Sequence, residues 1–133
     1  MHRVANVSPI LRFAALVVDC PDHARLAAFY RDATGAEIIE TTETTSWLQG
    51  PDQLTIFRSV DGYTPPTWPS MERPMQAHAD YYVDDLEDAQ TRLQNLGAMT
   101  PDYQPERRNG LIVMLDPAGH PFCIAAARPP GTP

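Results

Sequence analysis

The chain has 133 residues, 43% of them hydrophobic, with 17 acidic and 10 basic side chains and a formal net charge of -7. That length carries one domain with a real core and falls short of two. The acidic balance excludes a nucleic-acid surface and attraction to anionic membranes, and two cysteines exclude a disulfide framework.

Taken in chain order, the first element is an apolar strand over Phe13–Val18. Arg12 interrupts the apolar run around it and Asp19 is a poor cleavage-site residue, so no secretory leader is expected. A cytoplasmic protein with free thiols at Cys20 and Cys123 follows. Asp22, after Pro21, reads as the N-cap of a helix running to Thr34, with Leu26, Phe29, Tyr30 and Ala33 at helical spacing. Gly35 supplies its left-handed stop. Strand-like segments follow at 37–42, 45–49 and 54–60, the last two joined by the turn Gly50-Pro51-Asp52. Residues 61–75 form a Pro- and aromatic-containing connector.

The pattern then begins again. Ala79–Val83 reads as a strand and Asp85 as the cap of a helix with the stripe Leu86, Ala89, Leu93 and Leu96. Gly97 ends it. Strands are expected at 98–103, 111–115 and 121–126, with Asp116-Pro117-Ala118-Gly119 as the matching turn. Residues 128–133 read as a tail. Asp22 and Asp85 stand 63 residues apart and Gly35 and Gly97 stand 62 apart, about half the chain. The expected fold is therefore α+β, a single domain of two βαβββ modules (about 11–60 and 76–127). They meet at a pseudo-twofold axis with a pocket between them.

Three stretches carry a resemblance to a known family. Val18-Asp19-Cys20-Pro21-Asp22 running into Leu26-Ala27-Ala28-Phe29-Tyr30, His78-Ala79-Asp80-Tyr81-Tyr82-Val83-Asp84-Asp85-Leu86, and Asp116-Pro117-Ala118-Gly119-His120-Pro121-Phe122-Cys123-Ile124 occur in that order. Together they resemble the vicinal oxygen chelate superfamily of glyoxalase I, extradiol dioxygenases, fosfomycin-modifying enzymes and bleomycin-resistance proteins. The connector Gly62-Tyr63-Thr64-Pro65-Pro66-Thr67-Trp68-Pro69 is similar to that of the short bacterial glyoxalase-like domain proteins. The resemblance implies a curved eight-stranded mixed sheet around a cup, with the helices on its outer face.

In metal-dependent members the half-sheets supply His and Glu ligands, which suit divalent ions. Carried over one position at a time, the first falls on Ala15, which cannot ligate. The second falls on Arg58 or, one register away, Phe57. The third is His78, which matches, and the fourth is Cys123. No cofactor is expected from this set. A divalent metal held by His78 and Cys123 is the alternative.

Strand alternation then gives the pocket. With His78 inward, Asp80 and Tyr82 face inward, while Ala77, Ala79, Tyr81 and Val83 pack under the helix. Ala15 inward brings Phe13 and Val17, Cys123 brings Pro121 and Ala125, and Arg58 brings Ile56 and Leu54. Trp47 is a further wall residue. The candidate catalytic pair is His78 and Asp80, and the candidate ligand-binding residues are Arg58, Tyr82, Cys123, Trp47, Phe13 and Ala15. Each also has a packing reading: a hydrogen-bonded structural His78, an Arg58–Asp80 ion pair, an inert buried Cys123. His120 is expected to stabilise its turn, His2 and His23 to lie on the surface, and Tyr63 and Trp68 to anchor the connector. Arg107 and Arg108 are expected in a solvated loop.

Two functions stand open. One is a small-molecule-binding protein, a homodimer taking an apolar or aromatic anionic ligand. The other is an enzyme: a metal-independent lyase or isomerase with His78 as general base, or a divalent-metal-dependent lyase or dioxygenase.

Overall fold

The repeated grammar folds as two modules, each a strand, a helix and then further strands, in a computed structural model that describes residues 9–126. His2 and the tail lie outside the described residues. The first module is β1 (Leu16–Cys20), α1 (His23–Thr34), β2 (Glu37–Thr41), β3 (Thr45–Gln49) and β4 (Leu54–Ser59). The second is β5 (Ala79–Val83), α2 (Leu86–Leu96), β6 (Leu111–Leu115) and β7 (Pro121–Ala126), with a short 3-10 turn at Arg107–Asn109 before β6.

Both helices begin and end as their sequences dictate. Asp22 accepts a hydrogen bond from the Arg25 amide, and Asp85 does the same for Asp88. Each cap satisfies one of the orphan donors of a first helical turn. Gly35 and Gly97 close the helices at φ 77° and 117°, a region that side-chain-bearing residues rarely adopt.

The expected single eight-stranded sheet is corrected to two separate sheets. One has four strands in the order β1-β4-β3-β2 and the other three in the order β5-β7-β6. In each, the first strand of the module runs parallel to its last, Leu16 opposite Thr55 in one and Ala79 opposite Phe122 in the other. β1 and β5 are therefore edge strands. The expected strand at 13–18 is displaced to Leu16–Cys20: the ladder to β4 opens at Leu16 opposite Thr55, and residues 13 and 14 would fall opposite 52 and 53, before β4 begins.

The expected strand at 98–103 is reduced to one bridge, Met99 to Leu115. Pro101 has no amide hydrogen to give a ladder. The Gln104 side chain takes the strand's place: it accepts from the Val113 amide and donates to the Val113 carbonyl, both at 2.8 Å.

Two apolar clusters fill the molecule. Cys20, Leu26, Ala27, Leu48 and Phe57 pack beneath α1, together with Ala118 from the second module. Ile112, Met114, Phe122 and Ile124 pack with Phe29 of α1 and against Tyr81, Val83, Leu86, Ala89 and Leu93. Each buried Leu or Phe contributes about 1.5–3 kcal/mol. Exchange of Phe29 and Ala118 between clusters locks the modules together. Ala33 and Leu96 of the expected helix stripes lie exposed, since neither faces a sheet. No helix among the described residues is long and apolar enough to cross a membrane.

Candidate functional site

A hydrogen-bond network joins the modules beside the core. The Tyr30 hydroxyl, at the buried face of α1, donates to Asp116 Oδ2 at 2.6 Å. Asp116 Oδ1 accepts from the amides of Ala118 and His120 at 2.9 and 3.0 Å, which shapes the 116–119 turn. His120 Nε2 lies 2.7 Å from the Asp19 carbonyl. A carbonyl can only accept, so Nε2 carries a proton and is the donor here. The Tyr63 hydroxyl donates to the Ala118 carbonyl at 3.0 Å, anchoring the connector to the turn as expected.

Burial dominates the electrostatics here. It raises the Asp116 carboxyl above the usual carboxylate range, while the Tyr30 hydroxyl, the charge of His120 and the two amides pull it back. Burial, and then the Asp116 charge, push the Tyr30 phenol up. Tyr63 is raised to about 12 for the same reasons.

The unpaired edges of β1 and β5 border a cavity of about 1130 Å³. Residues 16–19 line it from the first module and residues 76–81 from the second, with Tyr30, Phe57 and Phe122 as aromatic wall and parts of the connector across them. The wall surface is more apolar than polar, with carboxylates, Arg73, His78 and His120 converging on it, which is compatible with a small-molecule site.

His78 and Asp80 line this cavity, with Nε2 of one 3.2 Å from Oδ1 of the other. Cys123 stands beside them: one ligand atom from each of the three residues falls within 4.8 Å of the others. Parallel pairing of β5 and β7 places Asp80 opposite Cys123 and explains the approach. Burial, and then the charge of Asp80, raise the Cys123 thiol to about 11, so it is protonated at neutral pH.

Of the other sequence candidates, Val17 and Pro121 line the cavity, whereas Arg58, Trp47, Phe13, Ala15 and Tyr82 do not. Arg58 does not reach Asp80; it lies opposite Asp19 in the parallel ladder, and Nη2 bonds that carboxylate at 2.8 Å. Val17, Ile56 and Trp47 lie across from one another on the open face of the first sheet. Phe13 and Ala15 precede β1, and Phe13 is exposed. Tyr82 is exposed on the open face of the second sheet.

His23 departs from the expected surface position: Nδ1 lies 2.7 Å from the buried Ser46 hydroxyl and Nε2 3.1 Å from the Glu43 carbonyl. Sequence reasoning passed over Tyr30, Asp116 and Arg73 as cavity residues. Tyr30 read as helix stripe and Asp116 as turn former, and both descriptions hold. Arg73 sits in a Pro-rich connector, where no periodicity marks direction.

The donor set can be tested against the divalent ion implied by the resemblance. Ala15 offers no donor atom, Arg58 is a cation paired with Asp19, and Phe57 is buried under α1. His78, Asp80 and Cys123 supply nitrogen, oxygen and sulfur on one module, a combination that fits a zinc-class ion with an open position. Bound there, such an ion would polarise a ligand oxygen.

The fold and site together define a protein of two related modules, βαβββ and βαββ, with a ligand-sized cavity between them. Residues 15–125 match the profile of the Glyoxalase-like domain family, and the chain belongs to that family and to the vicinal oxygen chelate superfamily. A search of the curated proteins found no match. Among solved structures, the fosfomycin resistance protein FosX from Mesorhizobium loti is 13% identical over 90% of this chain and 94% of its own, with a TM-score of 0.64. The hexagonal form of FosX from Listeria monocytogenes is 17% identical over 90% and 96%, with a TM-score of 0.66. A glyoxalase/bleomycin resistance protein/dioxygenase family enzyme from Burkholderia phytofirmans PsJN is 16% identical over 86% and 97%, also at 0.66. At these identities the likeness is one of fold.

Proposed function

We propose that this chain binds a small apolar or aromatic anion in the cavity between its modules. The observation that carries the reading is the cavity itself, apolar in its walls and bordered by two unpaired strand edges with His78 and Asp80 at its side. Anilinonaphthalene sulfonate, an aromatic anion that fluoresces in apolar sites, tests it. The dye should bind the folded protein, and Thr55→Trp, which fills the cavity from β4, should abolish binding. Dye binding unaffected by Thr55→Trp would remove the cavity from the reading.

The free thiols Cys20 and Cys123 support a reducing, cytoplasmic setting. A homodimer is the assembly we favour, because Val17 and Tyr82 expose 50% and 66% of their surfaces on the open sheet faces. A second copy laid there would complete a wall around Trp47, Arg58 and Cys123. Light scattering of the purified protein reads this directly, and a strict monomer across concentrations would sink it.

A second reading rests on the closeness of His78, Asp80 and Cys123. In it, His78 acts as general base with Asp80 orienting its ring, a role their 3.2 Å contact supports. The same three donors would hold a divalent ion. Elemental analysis of protein purified without chelators, with a thermal shift on adding zinc, separates the two. A shift that His78→Ala abolishes supports the metal; turnover that His78→Ala leaves intact excludes His78 as base.

A further inference from the structure

We propose that Arg73 is the residue that recognises the anionic group of the ligand, and that the cavity selects a monoanion attached to an apolar or aromatic body. This rests on the small-molecule reading above and assigns the charged end of the site, which sequence reasoning had put at Arg58.

Arg73 is the one Arg or Lys among the residues lining the cavity. It has no carboxylate partner within 4.0 Å among the described residues, in contrast to Arg58, whose charge Asp19 neutralises. Its Nε donates to the Pro65 carbonyl at 3.1 Å, which fixes the plane of the guanidinium. The two terminal nitrogens make no hydrogen bond to another described residue. They keep four N–H donors in the fork geometry that matches a carboxylate or sulfonate.

The loop holding Arg73 is built, not slack. The Arg73 amide donates to Thr67 Oγ1 at 2.9 Å, and the Thr67 amide donates to the Arg73 carbonyl at 2.6 Å. Pro65, which orients the guanidinium, lies so close to the 116–119 turn that a Cβ added at Gly119 would stand 2.7 Å from its own Cβ. Trp68 packs on Tyr103 with ring centroids 5.8 Å apart. The connector is thus pinned to the second module at Pro65 and Trp68, and the Thr67–Arg73 bonds hold the loop, so little ordering is left for ligand binding to accomplish.

Charge around the rest of the cavity gives the selectivity. Asp19, Asp52, Glu72, Asp80 and Asp116 all contribute to the lining. An anionic group elsewhere in the cavity meets carboxylates, and a second anionic group on the same ligand has no second Arg or Lys to meet. One negative charge at Arg73, with an apolar body against Leu16, Phe57 and Phe122, is the arrangement the lining accepts.

The test compares two dyes of nearly the same shape: anilinonaphthalene sulfonate, and neutral N-phenyl-1-naphthylamine, which lacks the sulfonate. Both are titrated by fluorescence into the intact wild-type protein, Arg73→Gln, Arg73→Lys and the surface control Arg92→Gln. Arg73→Gln should weaken the anionic dye by about tenfold or more, the worth of a charge-assisted hydrogen bond, and leave the neutral dye within about twofold. Arg73→Lys should fall between, and Arg92→Gln should match wild type. In wild type, added sodium chloride should weaken the anionic dye alone, a result that holds even where a variant fails to fold. Unchanged anionic-dye binding in Arg73→Gln, or equal loss of both dyes, overturns the assignment while the cavity reading stands. The same selective loss in Arg58→Gln but not in Arg73→Gln would return the anion site to Arg58. Failure of the wild type to bind either dye removes both readings.

Discussion

Replacing Tyr30 by Phe removes one oxygen atom and leaves the aromatic packing in place. That packing is extensive: the Tyr30 ring stacks on Phe57 at 5.5 Å and 5° and meets Phe29 edge-on at 4.9 Å. What is lost is the 2.6 Å hydrogen bond to Asp116, a carboxylate only 5% exposed. A hydrogen bond to a charged group is worth about 1.5–3 kcal/mol, and the buried oxygen left behind finds no replacement among its neighbours. The loss should also depend on pH. Burial holds the folded pKa of Asp116 above the unfolded value of 3.8. Its contribution to stability is then full below that value and declines as pH rises through the folded pKa. Without the Tyr30 hydroxyl the folded pKa climbs further, so the decline continues to higher pH in the variant. The two proteins should be closest in stability at the acid end and furthest apart near neutrality. Urea unfolding of both, followed by circular dichroism between about pH 4 and about pH 8, measures the difference directly. A difference below about 0.5 kcal/mol, or one that stays flat across the range, would refute the account of Asp116 as a buried acid restrained by Tyr30.

Gly119→Ala should cost about 1–3 kcal/mol, because φ is +87° there and the new Cβ would meet Pro65 at 2.7 Å. Limited proteolysis should then cut within residues 62–74 first, and a variant as stable and resistant as wild type would deny that the connector is docked on this turn. Gln104→Ala should unpair both backbone groups of Val113, at about 1–3 kcal/mol, and speed hydrogen exchange at the Val113 amide. Unaltered exchange there would show that the side chain is dispensable to β6. Cys123, raised to about 11, should react with a disulfide reagent at pH 8 far more slowly in the folded protein than in urea. Rapid stoichiometric labelling of the folded state would show an activated thiolate in its place.

The elements were legible where the sequence carries local chemistry. Asp22 with Gly35, and Asp85 with Gly97, set both helices to within a residue, because caps act through neighbouring backbone. Alternation likewise put Asp80 and Cys123 on one face and Tyr81 and Val83 on the other, since side-chain period in a strand is fixed by geometry. What failed depended on partners far along the chain. Residues 13 and 14 have the composition of a strand, but strand formation there required ladder from residues before Leu54. The match of Arg58 to a family position said nothing of Asp19, whose carboxylate reaches it only once β1 and β4 lie side by side. Arg73 carried no local signal at all, because a connector has no face until it is docked.

The two departures from a continuous eight-stranded sheet share one solution. At the outer edge of β6, where an eighth strand was expected, the Gln104 amide presents a donor and an acceptor spaced like those of a strand residue and bonds both groups of Val113. At the free edge of β1, Cys20 turns its carbonyl inward to the Val60 amide beside β4. Alternation therefore points the Asp19 carbonyl outward, and the His120 ring donates to it at 2.7 Å. A single side chain so substitutes for a neighbouring strand at each interruption. The substitution at β1 has a consequence for the cavity. Pairing β1 directly with β5 would close the gap between the modules, whereas one imidazole satisfies the end of the edge and leaves residues 16–18 bordering open space. His120→Phe, which keeps a ring near Tyr63 but has no donor for Asp19, should therefore loosen the seam and lower the thermal midpoint, while His120→Gln, with an amide donor, should recover part of the loss. Equal midpoints for the two variants would show that the ring packs the seam without bonding the edge.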